Sequence, residues 1–175
     1  MKASCNWLRE LSAVSASADE IAARLTGGGL EVEGITRAGQ GLDRVVVAEV
    51  RAQRVHPKRD KVTLVTVFDG ERELEIVCGA ANVPARGGRV LLAKLGARLP
   101  NGLEIGAREV AGVRSEGMLC SEVELGIGPG GDGIFVLEDD LPGKPGDLAS
   151  VALGLVDEIL EISVTPNRPD ALGHV

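Results

Sequence analysis

The sequence predicts an α+β chain in which a small split α/β domain, residues 1–40 and 140–175, carries an inserted OB-type β-barrel over residues 41–139. Three observations predict it. Val62, Leu64, Thr66 and Phe68 alternate with Thr63, Val65 and Val67; Asp69-Gly70 follows; Leu74, Ile76 and Cys78 then alternate with Glu73, Glu75 and Val77. Period-two patterning on both sides of Asp-Gly describes two antiparallel strands joined by a tight turn, because that dipeptide tolerates positive φ. The 24 glycines and 8 prolines cut the 175 residues into short pieces, which favours strands and turns over long helices. Leu160, Ile162 and Val164 form one more alternating strand after Asp140, and the segment before Gly39 is its natural partner.

Taken in order, Lys2 to Cys5 reads as a short strand, followed by a helical turn carrying Trp7, Leu8 and Leu11. Ser17-Ala-Asp-Glu20 is a capping box, Ile21, Ala22 and Leu25 continue one helical face, and Gly27-Gly28-Gly29 ends the helix. Leu30 to Arg37 is a strand and Ala38 to Leu42 a linker. In the barrel region Val46, Ala48, Val50 and Ala52 alternate as a first strand, and the hairpin comes next. Strands follow at Val90 to Leu95, Leu103 to Val110 and Ile134 to Leu137, with a turn at Pro100-Asn101-Gly102. Ser115 to Leu125 is expected to be a short helix with Met118 and Leu119 inward, and Gly126 to Gly133 a loop. Five or six short strands with one late helical turn suit a small closed barrel better than a sandwich. Asp147 is expected to cap a helix from Leu148 to Leu153, stopped by Gly154. Asp170-Ala-Leu looks like the cap of a helix beyond the last residue, so the chain reads as part of a longer protein.

Several chemistries are disfavoured. Cys5, Cys78 and Cys120 are widely spaced without a C-x-x-C, the usage of reduced cytosolic thiols rather than of disulfides or zinc. No apolar run approaches the ~20 residues of a membrane span, and no signal peptide precedes Trp7, so a cytoplasmic protein without membrane partners is expected. Gly126-x-Gly128-x-Gly130-Gly131 resembles a phosphate cradle only by glycine count, because a strand rather than a helix follows it. Cys120, His56 and Asp60 hold the letters of a nucleophilic triad, but small apolar neighbours make Cys120 a core thiol. Asp139-Asp140 lacks the spacing of a calcium loop, and His174 supports no assignment. No catalytic set and no metal site are expected.

Binding is the better class. The net charge is −7, yet from Asp43 to Glu138 13 Lys and Arg stand against 14 Asp and Glu, a net of −1; the flanks hold 6 against 12, a net of −6. Arg51, Arg54, Lys58, Arg59 and Lys61 form a cationic run broken only by Asp60, and Arg86, Arg89, Lys94 and Arg98 a second run free of acids. Such clusters neutralise phosphates. Barrels that grip single strands stack bases on aromatic rings, and this one offers only Phe68 and Phe135, with Phe68 in the inward-facing set. Contact with RNA should therefore be weak and directed at backbone and shape.

Three stretches resemble the tRNA-binding OB domain found in several translation proteins: His56-Pro57-x-x-Asp60-Lys61-Val62, Ile76-Val77-Cys78-Gly79-Ala80-Ala81-Asn82-Val83, and Gly112-Val113-x-Ser115-Glu116-Gly117-Met118-Leu119-Cys120-Ser121-Glu122. With Asn6-Trp7-Leu8, Gly29-Leu30-Glu31-Val32-Glu33 and Thr165-Pro166-Asn167-Arg168-Pro169-Asp170, the whole chain looks like the N-terminal region of bacterial phenylalanyl-tRNA synthetase beta subunits. A stand-alone tRNA-binding protein would explain the barrel but not the flanks. The resemblance implies an α2β2 aminoacyl-tRNA synthetase that uses ATP and Mg2+ to join phenylalanine to its tRNA. It puts the aminoacylation site in the alpha subunit and editing further along beta, so this region needs no cofactor of its own. The barrel motif falls on His56, Pro57, Asp60, Lys61, Asn82, Ser115, Gly117 and Met118, of which Pro57, Asp60 and Gly117 are expected to shape turns. Lys58-Arg59 stand where the family usually has a small or acidic residue. The expected tRNA contacts are Arg54, His56, Lys58, Arg59, Lys61, Asn82, Arg86, Arg89, Arg114, Ser115 and Met118. The rival expectation is a structural or protein-docking module that touches no RNA.

Overall fold

A computed structural model describes residues 1–110 and 112–172; His174 lies outside the described residues. In chain order the elements are β1 (Lys2–Ser4), α1 (Cys5–Ser12), α2 (Ala18–Gly27), β2 (Glu31–Arg37), β3 (Val45–His56), β4 (Arg59–Phe68), β5 (Glu73–Cys78), β6 (Arg89–Lys94), β7 (Arg108–Val110), β8 (Val113–Ser115), β9 (Gly117–Leu119), α3 (Glu122–Leu125), β10 (Val136–Leu137), α4 (Ala149–Ala152), β11 (Glu158–Ser163) and a 3-10 turn (Pro169–Leu172). They form two compact units, Met1–Gly39 with Leu155–Val175, and Gln40–Gly154.

In the first unit β11 lies between β1 and β2, antiparallel to both, with Leu160 opposite Ala3 and Ile35. The alternating run 160–164 thus finds the partner expected of it. Ala3, Cys5, Ala18, Ile21, Leu160 and Ile162 make its core. The Ser4 hydroxyl caps α1 by accepting from the Trp7 amide at 3.0 Å, which ends β1 one residue earlier than expected. Ser17 and Glu20 form the reciprocal capping box of α2, and the chain leaves that helix through Gly29 at φ +87°. Asp170 lies inside the 3-10 turn, and its carboxylate accepts from Arg168 at 2.9–3.1 Å.

The second unit is a nearly closed antiparallel barrel, ordered β10-β6-β3-β4-β5 with β9 also on β6. Closure runs from β5 to the β8–β9 segment, where the Glu116 amide donates to the Glu75 carbonyl at 3.1 Å. Of the alternating sets on β3 and β5, Val46, Ala48, Val50, Leu74, Ile76 and Cys78 join Val65, Val67, Val90, Leu92, Leu119 and Ile134 in one core, whereas Ala52, the last of the β3 set, is exposed. On β4 the inward set is Val65 and Val67, not the set containing Phe68. Register explains the correction, because Val67 faces Val50 and Leu74 while Phe68 faces the acidic pair Glu49 and Glu73. Phe68 is half-buried, with the Arg51 guanidinium 5.0 Å from its ring centroid.

Other segments also depart from expectation. The stretch 115–125 is the last residue of β8, the three-residue strand β9 and then a four-residue helix. Gly117 decides this: a Cβ there would stand 2.7 Å from the Ala93 carbonyl oxygen, a closeness only glycine allows. Pairing Gly117 with Lys94 puts Leu119 in the core and leaves Met118 half-buried. Ser121 and Glu124 form a second capping box at the start of α3. The strand expected from Leu103 survives only as β7, and the one from Ile134 only as β10. Leu148, not Asp147, precedes α4, because the Asp147 carboxylate accepts from the Lys144 amide at 2.8 Å.

The Asp69-Gly70 connection is wider than a two-residue turn, since the ladder closes at Phe68↔Glu73. Asp69, 2% exposed, accepts from the amides of Glu71 at 3.0 Å and Arg72 at 2.9 Å, and its other oxygen meets Lys94 Nζ at 2.8 Å. Gly70 at φ +95° lies where a Cβ would strike the backbone of Pro145 and Gly146. Burial by itself pushes the Asp69 carboxyl up, but the Lys94 ammonium and the two amides outweigh it and hold it below the ordinary value. Its stabilising contribution is therefore complete above pH ~4 and lost as pH falls below that. Asp69→Ala should cost about 3 kcal/mol in urea unfolding, and Asp69→Asn, which keeps the acceptor for the amides, should cost less. The difference between wild type and Asp69→Ala should shrink as the titration moves from pH 6 to pH 3.

Candidate nucleic-acid interface

The basic run of the sequence folds into a hairpin of its own. β3 pairs with β4 as far as His56↔Arg59, leaving Pro57 and Lys58 as the connection. Proline pre-sets the φ such a turn requires. Beyond Arg51 the β3 side of this hairpin is exposed at Ala52, Gln53, Arg54 and Val55, while opposite it β4 stays buried at Leu64 and Val65 and paired with β5 as far as Thr63. Lys58, Arg59, Asp60 and Lys61 crowd the hairpin tip, all exposed.

His56 is the exception there, with 2% of its surface exposed. Its Nδ1 accepts from the Lys58 amide at 3.1 Å, so the other nitrogen carries the proton, and Nε2–H donates to the Val110 carbonyl at 3.1 Å. Three further expected contacts also make hydrogen bonds within the protein, although Asn82 itself stays exposed. The Asn82 amide donates to the Ile134 carbonyl at 2.8 Å and accepts from the Ile134 amide at 2.9 Å. The Ser115 hydroxyl accepts from the Val77 amide at 3.0 Å and donates to the Gly117 carbonyl at 2.9 Å. Arg89 donates to the carbonyls of Glu138, Leu141 and Gly143, pinning the segment after β10. These four build the surface on which others stand.

The cations divide in the same way. Arg51 pairs with Glu49, Arg54 with Glu75 at 2.6 Å, Lys94 with Asp69, and Arg98 with Glu104. Lys58, Arg59 and Lys61, with Arg86 and Arg114, are exposed and have no carboxylate within 4 Å among the described residues. Arg86 sits in the loop between β5 and β6, away from the hairpin tip in sequence and in strand order. Arg108 on β7 belongs with the free set and escaped the sequence reading. Its signal was the run Arg108-Glu-Val-Ala-Gly-Val-Arg114, a small turn dipeptide flanked by valines and bracketed by arginines.

The glycine-rich loop lines two open cavities of about 370 and 480 Å3, which present Glu122, Glu124 and Asp132 and no cation. Glu122 folds over the loop and accepts from the Gly130 amide at 3.1 Å, its carboxylate lying against Gly128 and Gly130. An acidic rim of this kind repels phosphate. Met118 lines the first cavity and a smaller one of about 170 Å3 beside Val77, Ile105 and Val110. Burial raises the thiols of Cys5 and Cys78 and pushes Cys120 up to about 12, so none is a nucleophile at neutral pH. No three potential metal ligands converge among the described residues, and none of their helices is long and apolar enough to cross a membrane.

Comparison with known proteins agrees with this geometry. A family model described as a putative tRNA binding domain matches residues 45–147. Over 171 residues the chain is 47% identical to the phenylalanine–tRNA ligase beta subunit of Geobacter sulfurreducens, covering 97% of this chain and 21% of that one. Over 176 residues it is 43% identical to the beta subunit of Syntrophus aciditrophicus, covering 100% and 21%. The chain thus spans about a fifth of the length of these relatives. Among solved structures, a MetRS related protein from Pyrococcus horikoshii aligns with a TM-score of 0.41 and 20% identity, covering 60% of this chain and 87% of that one.

Two measurements check the division of labour. Asn82→Ala should cost about 2 kcal/mol and expose the Ile134 amide to hydrogen exchange. At pH 8 a thiol reagent should modify Cys120 only as fast as the chain unfolds; rapid labelling of the native protein would contradict the burial described.

Proposed function

The chain belongs to the family of putative tRNA-binding domains, and from that premise we propose that its barrel lays Lys58, Arg59 and Lys61 against the sugar–phosphate backbone of a tRNA. The wider role is that of the N-terminal region of a phenylalanine–tRNA ligase beta subunit, supported by relatives that match nearly the whole chain. In that role it gives an auxiliary grip on tRNA and contributes to subunit architecture beside an alpha subunit in the cytoplasm. ATP and Mg2+ serve the charging reaction elsewhere in the ligase, and no residue of this chain is assigned to them.

One observation carries the proposal: the three cations of the β3–β4 tip are exposed with no carboxylate within 4 Å among the described residues, whereas Arg51, Arg54 and Lys94 are already matched. A free cation meets phosphate without first breaking an internal pair, and each phosphate it neutralises releases condensed counterions. The grip is weak and shape-directed. Arg51 already covers the ring of Phe68, so the usual aromatic platform for stacked bases is missing.

Titration of the chain with tRNA at several salt concentrations tests this. Replacing Lys58, Arg59 and Lys61 together by alanine should flatten the slope of log affinity against log salt by about 2–3. Arg54→Ala should change it by less than about 1, since Glu75 already holds that side chain. A wild-type slope near zero would instead favour a docking module without RNA contact.

A further inference from the structure

His56 is a polar group that the tRNA contact does not use directly, yet it is the most fully engaged side chain at the hairpin tip. Its bond to the Lys58 amide is local and shapes the turn as an Asx side chain would. Its bond to the Val110 carbonyl is not local: it reaches a different hairpin, 54 residues away in sequence. That hairpin, β7–β8, is a two-stranded sheet of its own, paired from Arg108↔Ser115 to Val110↔Val113. Its base is anchored to β5 through Ser115, while at its tip the hydrogen bond from His56 is the one that joins it to β3–β4 among the described residues.

The β7–β8 hairpin carries Arg108 and Arg114, both exposed and neither within 4 Å of a carboxylate among the described residues. Lys58 leans toward it, its Nζ standing 3.3 Å from the point where a side chain on Gly112 would begin. Beside the tip cations Lys58, Arg59 and Lys61, with Asp60 among them, the β7–β8 hairpin adds Arg114, which stands across from Glu109, and, on its other face across from Ser115, Arg108.

We propose that His56 is a positioning residue that fixes Arg108 and Arg114 beside the Lys58–Lys61 tip, making the two hairpins one bipartite site for the phosphates of an RNA backbone. The inference rests on the tRNA reading above. It assigns the imidazole no contact with RNA: its effect on binding passes through the Val110 carbonyl to the second pair of arginines.

The test uses the 175-residue chain, an unmodified tRNA transcript and the salt slope of binding. His56→Asn keeps an oxygen placed to accept from the Lys58 amide but is too short to reach Val110. His56→Gln places an amide donor near the position of Nε2. The combined Arg108→Ala and Arg114→Ala variant should flatten the wild-type slope by about 1–2. His56→Asn alone should flatten it by a similar amount, adding the arginine pair of substitutions to it should change nothing further, and His56→Gln should recover part of the slope. Replacing Lys58, Arg59 and Lys61 should still flatten the slope in the His56→Asn background. A wild-type slope in His56→Asn, or an undiminished effect of the arginine substitutions in that background, would overturn the positioning role while leaving tRNA binding intact. Absence of salt-dependent binding by the wild type would overturn both. Should His56→Asn fail to fold by urea titration, the arginine variant decides: an unchanged slope there removes the second half of the site.

Discussion

The structure depends on one bent strand. β3 pairs with β6 through residues 45–49 and with β4 through residues 49–56, and its ladder shifts at Val50/Ala52 and again at Val55/His56. A bulge adds a residue on one side and sharpens the local twist, which lets a single strand serve both halves of a curved sheet. Val45 to Ala48 are buried on both faces. From Ala52 to Val55 the same strand is exposed beside β4. The barrel's closure and the exposure of its basic tip are thus consequences of the same bend.

Past Thr63, where its pairing with β5 ends, the β3–β4 hairpin has only two strands, and such an end is marginal in water without further support. This one is braced by a buried imidazole and not by hydrophobic packing, since Val55 beside it is 67% exposed. That choice keeps the tip polar and leaves Lys58, Arg59 and Lys61 outside. Elsewhere the barrel spends its charge on itself. Asp69 and Lys94 fix the β4–β5 connection, and Arg89 gathers three carbonyls after β10. Acidic side chains cover the glycine-rich loop. A chain of net charge −7 can therefore present a local cationic surface, because its positive charges are sorted between internal partners and solvent.

Much of this was legible in the residues. Period-two runs located the β4–β5 hairpin, the inward set of β5 and that of β3 as far as Val50, and capping chemistry located α2. The run 115–125 was misread because its strands are three residues long, too short for a period to register, and because Gly117 matters through Ala93, 24 positions earlier. Phe68 was misplaced by one step of register, which in a strand exchanges the faces. At the candidate site, residue type could not separate framework from surface. His56, Asn82 and Arg89 look like contacts in one dimension; their partners lie 49 to 54 residues away and appear only when the chain is folded. Nor can spacing tell that Arg54 is paired and Lys58 is not.

The central claim is that cations carried by two neighbouring hairpins meet the backbone of tRNA together. Amide chemical-shift mapping of the chain titrated with tRNA at low salt addresses it most directly. The shifts should concentrate at residues 57–61 and 108–114, move together along one binding curve, and fade together as salt is added. Shifts centred on the acidic loop around Glu122 and Asp132, or none at saturating tRNA, would contradict it.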